Sequence, residues 1–476
     1  MSANTIRSKF LSGGIWVLAS TVYQNILQIV LLITFSRLLS PNDFGIVTIS
    51  LLIVSLFSIL SQFGLPQAII QKKQLTENEI KESTTVILIA AVTIVILLSL
   101  LASPLSSFFD ESDLGKIIHL ITFTVILQSL ASIPEALLQR ELKFKATSIV
   151  ELCSYTLGYG LIGLILAFLL RSYYALIYAN LLYHLLRFLM LLCLKPTSLR
   201  ASMKVDFKSE IIKLGIGFNL NRLISFFSIH SDNIIVGKIL GTETLGIYSR
   251  IYQLISLPAK ITGMLFDKLL FSSLSRIQDD KIQTRMIYLL FLRLSGFILI
   301  FLSIYIFVFA EEIIYLLLGS NWESAIVPLK IFTFSMFFRT AYKIGETISI
   351  SIGYVYKRIV VQLVYAISVI ISSLVGAFFG FNGVIIGVTV AIIVNFVLIT
   401  RLTNKILDVK LQTFLMEFTP VILYSSFYFA VLYFMHQFFF IYLNSTIITF
   451  LLGGLISILI LYVPLNRHIK KIWKTI

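Results

Sequence analysis

Apolar runs of about 20 residues recur along the whole of this chain, separated by short polar connections. A helix of that length crosses a roughly 30 Å hydrocarbon core, and no connection is long enough to hold a folded water-soluble domain. Strand-like alternation is absent, which argues against a membrane β-barrel. The chain therefore reads as an all-α integral membrane protein. About fourteen transmembrane helices are expected, near 12–35, 45–70, 84–108, 117–139, 148–169, 174–194, 214–239, 246–271, 287–309, 325–350, 359–379, 383–400, 414–436 and 445–464. Composition agrees, because 13% of the residues are charged whereas soluble domains carry about 25%. The first run follows Arg7 and Lys9 and is too long for a signal-peptide core, so it reads as a first span, not a cleaved leader. Cys153 and Cys193 fall inside apolar runs and imply neither a disulfide framework nor a metal site.

The polar connections alternate in charge. One set, including Lys72, Lys73, Arg140, Lys143, Lys195 and Arg358, holds about 25 cations, and the other about four. Cations near span ends stay on the cytoplasmic side, so both termini are expected there, which requires an even number of spans. The acidic stretches Asp110–Asp113 and 310–323 then fall outside. The net charge of +15 is mostly this topology signal. Nucleic-acid binding, the competing reading of such a charge, is disfavoured because the cations sit in short loops beside the membrane.

A repeat organises the chain. The stretch FSRLLSPNDFGIVTISLL, from Phe35 to Leu52, has a worn copy in VGKILGTETLGIYSRIYQL, from Val236 to Leu254. Leu39 matches Leu240, Gly45 matches Gly246 and Ile46 matches Ile247, a constant offset that marks two halves. Six spans per half is an even number, so the repeat is parallel, with its axis along the membrane normal. The expected organisation is an N-terminal six-helix lobe (1–194), a basic cytoplasmic linker (195–213), a C-terminal six-helix lobe (214–410), and two extra helices with a basic tail (411–476). Paired halves in a membrane chain are the usual mark of a transporter with its path at their seam.

Charges inside spans are costly unless they face a wet cavity or a partner. Arg187, Lys268, Arg293 and Lys330 lie near span ends, where a long side chain can reach the interface. Arg222, Lys260, Arg339 and Lys343 lie deeper. At 100° per residue Arg339, Lys343 and Glu346 share a helix face, and Glu346 can neutralise one of the two cations by an i,i+3 contact. Asn219, Arg222, Phe226, His230 and Asn233 form a second stripe, from which Asp232 points away; Gln253, Lys260 and Asp267 form a third. Thr21, Gln24, Asn25 and Gln28 make a neutral one, for which interhelical hydrogen bonding serves equally well. Cations outnumber acids, so a positive cavity for an anionic ligand is the favoured reading of the deep cations, with buried ion pairing as the alternative. Arg222, Lys260, Arg339 and Lys343 are the candidate substrate-binding residues, Asp232 and Glu346 the candidates for ion coupling, and Arg37 and Asp43 the candidates for an outer gate.

Other motifs do not hold. Gly158, Gly160 and Gly163 match a dinucleotide-binding string, but they lie within a span with no strand before them, and helix packing explains them better. His119, His184, His230, His436 and His468 lack metal-ligand spacing. No catalytic residue, cofactor or metal is expected.

Four pieces of the chain carry a family resemblance: RLLSPNDFG (Arg37 to Gly45), GLPQAIIQ (Gly64 to Gln71), QRELKFK (Gln139 to Lys145), and DNIIVG (Asp232 to Gly237) leading through LGIYSR (Leu245 to Arg250). With them the chain resembles the bacterial lipid-linked oligosaccharide flippases of Wzx type, within the MATE-like flippase superfamily; these include exporters of O-antigen, colanic acid and teichuronic acid. The resemblance implies two lobes that open in turn to either side of the bacterial cytoplasmic (inner) membrane. It implies that undecaprenyl-pyrophosphate-linked oligosaccharide is carried outward for surface polysaccharide biosynthesis, in a cycle driven by a cation gradient. Membrane lipid and polysaccharide-assembly proteins such as a polymerase are the implied partners. The family has no simple catalytic motif, so the site residues rest on the charge argument alone. Two alternatives stand beside this: a cation-coupled multidrug exporter of the same fold, and a membrane polymerase or ligase. The second generally needs a large outer loop, and 310–323 is short.

Overall fold

In a bilayer each backbone N–H and C=O must be paired within the protein, and the helix is the geometry that does so segment by segment. The computed structural model describes residues 3–202, 206, 209–277, 280–352, 354–443, 450–457 and 459–461, and no strand occurs among them. Two compact units are present, Met1–Gly246 and Ile247–Ile476. The first holds α1 (Ala3–Leu38), α2 (Pro41–Gln62), α3 (Leu65–Gln71), α4 (Glu77–Phe109), α5 (Leu114–Arg140), α6 (Phe144–Tyr155), α7 (Leu164–Leu170), α8 (Tyr174–Leu194) and α9 (Glu210–Ile239). Helix α10 (Thr242–Ile277) starts at the boundary. The second unit continues with α11 (Lys281–Val308), α12 (Ala310–Leu317), α13 (Ile326–Thr333), α14 (Ser335–Ser351), α15 (Val355–Ala377), α16 (Gly380–Ile406) and α17 (Leu411–Leu443).

Among the described residues ten helices are long and apolar enough to cross a membrane, which makes this a multi-pass membrane protein. Of the other spans expected, α9, α10 and the broken pair α13 and α14 are absent from the ten. Helices α9 and α10 carry Arg222, Asp232 and Lys260, which lower their hydropathy, whereas α13 and α14, the latter with Arg339 and Lys343, have 8 and 17 residues and are each too short to count as a span. The span expected at 445–464 is only partly among the described residues, as the shorter apolar helix Phe450–Leu461. Lys204, Lys208 and the basic tail with Arg467 and Lys470 lie outside the described residues, as does the side chain of Asp267.

In the first unit α2 packs against α4, α5 and α9, and α5 also packs against α3, α4 and α8. Helix α9 therefore groups by contact with the first unit, although the repeat makes it the counterpart of α1. One core cluster joins Leu65, Ile69, Ile87, Ile133 and Ile211 from α3, α4, α5 and α9. The end of α3 is closed by Arg140, which donates to the carbonyl oxygens of Ile69 (2.7 Å) and Lys73 (3.0 Å); a guanidinium thus satisfies acceptors left open at a helix C-terminus. Between α6 and α7 the helix widens into a π-helical stretch, Thr156–Gly163. A methyl group on Gly158 would sit 2.7 Å from the Cα of Tyr183 on α8, so close helix packing accounts for this glycine string, as expected. In the second unit α16 packs on α13, α14 and α15, and α11 on α13, α14 and α17. Phe301 of α11 stacks on Tyr428 of α17 with ring centroids 4.6 Å apart.

The two copies of the repeated stretch touch each other. A Cβ at Gly45 would lie 1.8 Å from the carbonyl oxygen of Thr242, and one at Gly246 would lie 1.8 Å from that of Pro41. The repeat carries Gly45 onto Gly246 and position 41 onto 242. The contact is thus reciprocal within the first unit. Beside it the Thr242 hydroxyl donates to Asn42 Oδ1 at 2.6 Å, and Lys238 pairs with Asp110 at 2.8 Å.

Candidate functional site

The first unit contains a polar cavity of about 260 Å³. Gln62 ends α2, Gln67 lies on α3, Gln128 and Glu135 on α5, Arg187 on α8 and Arg222 on α9; all six line it. Arg222 Nη1 donates to Gln62 Oε1 at 2.8 Å. One turn earlier Asn219 is buried, and one turn later so is Phe226, whose ring lies 4.9 Å from that of His230. The α9 stripe is thus an inward face, and Arg222 is the charge it presents to the cavity.

Arg187 corrects a sequence expectation. It does not reach for the interface; its side chain is 18% exposed and holds two acids. Its Nη2 donates to Glu135 at 2.7 Å, and its Nε lies 3.0 Å from Glu151 Oε2. The Tyr183 hydroxyl donates to the other oxygen of Glu151 at 2.7 Å. Charges of both signs, half-buried and hydrogen-bonded together, offset much of their desolvation cost. The signal was present in the sequence, since Glu135, Glu151 and Arg187 are all charges within spans. Charge position along a span does not reveal which helix neighbours which, so the grouping was not legible.

In the second unit Arg339 and Lys343 are half-buried on α14, one turn apart. The Arg339 guanidinium carbon lies 4.1 Å from the ring centre of Tyr252 and 5.2 Å from that of Phe332, a cation–π arrangement. Glu346, the acid expected to neutralise one of these cations, accepts from Nε of Arg358 at 2.5 Å. Arg358 is therefore part of this polar group, not only a loop cation. Lys260 on α10 is exposed on the surface of its unit. Asp232 is 3% exposed, and its Oδ1 accepts from the backbone N–H and side-chain amide of Asn233 at 2.8 and 2.9 Å. Among the described residues no group of three or more His, Cys, Asp or Glu could hold a metal ion.

Arg37 is exposed at the end of α1. Asp43 has a structural task. Its Oδ2 accepts from the Ser40 backbone at 2.9 Å while the Ser40 hydroxyl accepts from the Asp43 backbone, which makes a capping box at the start of α2. Its Oδ1 accepts from the Tyr173 N–H at 3.0 Å and so ties the start of α8 to that of α2.

Four similarities to known proteins bear on this arrangement. The lipid II flippase MurJ, in an inward closed conformation, superposes with a TM-score of 0.75 at 16% identity, over 95% of this chain and all (100%) of that one; the fold is therefore shared. An uncharacterised membrane protein of the cps region of Klebsiella pneumoniae is 24% identical over 391 residues, 79% of this chain and 80% of that protein. The lipopolysaccharide biosynthesis protein WzxC of Escherichia coli (strain K12) is 21% identical over 342 residues, 69% of this chain and 67% of that protein. The profile of a family described as polysaccharide biosynthesis protein matches residues 34–328, more than half of the chain, and the chain belongs to that family.

Proposed function

We propose that this chain is a transporter, not an enzyme, and flips undecaprenyl-pyrophosphate-linked oligosaccharide outward across the bacterial cytoplasmic membrane by alternating access. The observation that carries this is the pair of guanidinium groups, Arg187 and Arg222, on a polar cavity within an apolar helical unit. A diphosphate is the charged part of such a substrate, and arginine binds phosphate oxygens through paired, charge-assisted hydrogen bonds. The surrounding glutamines suit sugar hydroxyls, which need both donors and acceptors. Family membership and the MurJ-like fold support the same reading.

In this account fourteen spans place both termini in the cytoplasm, and the repeat divides them into two six-helix lobes. Arg187 and Arg222 hold the diphosphate, and Lys260, Arg339 and Lys343 are the further cations proposed for it or for acidic sugars. Asp232 and Glu346 are the coupling positions, where an ion replaces the present hydrogen-bond partners. The contact of Pro41 and Gly45 with Thr242 and Gly246 closes the outer side, and Arg37 and Asp43 stand beside it. Cells lacking their own exporter provide the test. Arg222→Ala, Arg339→Ala and Lys343→Ala should insert normally yet leave surface polymer absent and its lipid-linked precursor accumulated; normal export by all three would overturn the site. A multidrug exporter of this fold would call for an acidic cavity, so export of cationic dyes by the wild type would favour that alternative.

A further inference from the structure

The ion-pair group beside the cavity has more acid than its own cation needs. Arg187 touches both Glu135 and Glu151. Glu135 spends both carboxylate oxygens on it, at 2.7 Å each. The geometry points to Glu135 and Glu151 as internal stand-ins for a bound diphosphate, which the head group of the substrate displaces from Arg187 while a proton enters the group. This rests on the function proposed above and adds to it how the site is held when empty and what enters with the ligand.

A guanidinium has one set of donors, and a diphosphate competes for them with more charge than a carboxylate has. The cavity gives access, because Glu135, Arg187 and Arg222 all line it. Displaced acids would remain in a half-buried membrane site without their cation, and neutralisation by a proton then costs less than holding the charge. The other titratable groups here are Tyr155 of α6, Tyr159 of the π-helical stretch, and Tyr183 and His184 of α8. Tyr183 donates to Glu151, and the ring Nε2 of His184 lies 3.0 Å from the Gln128 side-chain nitrogen. Helix α9 contributes Arg222 and no acid to the cavity. No bond is made or broken; the proton comes from the aqueous side together with the ligand. Reciprocal linkage then requires diphosphate binding to strengthen as pH falls.

The test uses the purified full-length protein in detergent, with methylenediphosphonate and farnesyl diphosphate as probes. Calorimetry in buffers of different ionisation enthalpy counts the protons taken up, near pH 6 and near pH 8. Comparison of Glu135→Gln with wild type at one pH cancels protonation of the probe itself. The variant should bind about tenfold tighter near pH 8 and take up fewer protons per ligand. Glu151→Gln should shift the same way, and in each variant Arg187 keeps one carboxylate, so neither leaves a bare buried charge. Wild-type affinity and wild-type proton uptake in both variants would overturn the stand-in role while leaving the anion site intact. Failure of the wild type to bind either probe would overturn the anion site and the stand-in role together. Tighter binding of farnesyl diphosphate than of methylenediphosphonate supports a lipid head group as the ligand, and equal binding overturns that assignment.

Discussion

At the scale of single residues, several polar side chains here do local structural work. Asp43, a gate candidate by sequence, also caps α2 and makes a second bond to Tyr173. Replacing Ser40 by Ala removes the hydroxyl that accepts from Asp43 and should cost about 1 kcal/mol, visible as a lowered unfolding temperature with transport retained. Loss of transport without loss of stability would instead give Ser40 a part in the gate. Glu141 lies between α5 and α6, where Lys143 pairs with it at 2.8 Å and Lys195 also reaches it. Burial pushes its carboxyl up, but hydrogen bonds from Lys143 and Lys195 outweigh this and hold it below its ordinary 4.5. A carboxyl so lowered stabilises fully above 4.5 and loses its contribution as pH falls through the folded value. The stability difference between wild type and Glu141→Gln should therefore be complete near neutral pH and shrink below pH 4.5; growth on acidification would contradict it. Lys72 runs the other way. Hydrogen bonds to Glu210 and then Glu79 raise its ammonium above 10.5, so its contribution is complete below that value and fades only as pH rises through the folded one. Deep charge was legible as a property of Arg222, Glu135 and Glu151, but the partner that tames each charge was not, because it comes from another helix.

Among the elements, apolar length and spacing located the helices well; charge lowers the hydropathy of α9 and α10, and a break in the helix divides the span expected at 325–350. The charged helices α9, α10 and α14 depart furthest from a simple apolar span, and α13 and α14 are separate helices where one span was expected. The π-helical widening at Thr156–Gly163 has no signal beyond its glycines, since its register depends on how α8 packs there. The repeated glycines make the sharpest prediction at this scale. Gly45→Val would place side-chain atoms inside the Thr242 backbone, so the helix starts must separate. Transport should fall more than tenfold, the order of effect that 1.4 kcal/mol produces, and Gly246→Val should match it because the contact is reciprocal. A disulfide between Asn42→Cys and Thr242→Cys, in a background without Cys153 and Cys193, should form readily, stop transport, and release it on reduction. Undiminished transport with the bridge intact would show that this contact never opens.

For the whole molecule, the repeat was the most informative signal in the sequence, because its offset paired Gly45 with Gly246 before either was placed in space. The all-helical membrane fold followed from apolar run length. The units divide after Gly246, and α9, which the repeat would assign to the second half, packs on α2, α3 and α4. Half of the site was legible in the same sense: Arg222 and its stripe were, whereas the cavity's other wall of Arg187 and Glu135 was not. The most direct test of the central claim is transbilayer movement itself. Purified protein in liposomes would be given a fluorescent undecaprenyl-diphosphate oligosaccharide, and a membrane-impermeant quencher would report how much reaches the outer leaflet. Wild type should bring the inner pool out to the quencher, and Arg222→Ala should leave about half of the label protected, as in protein-free liposomes with both leaflets loaded. Protection of that half with the wild type, or its loss with Arg222→Ala at the wild-type rate, would contradict the account.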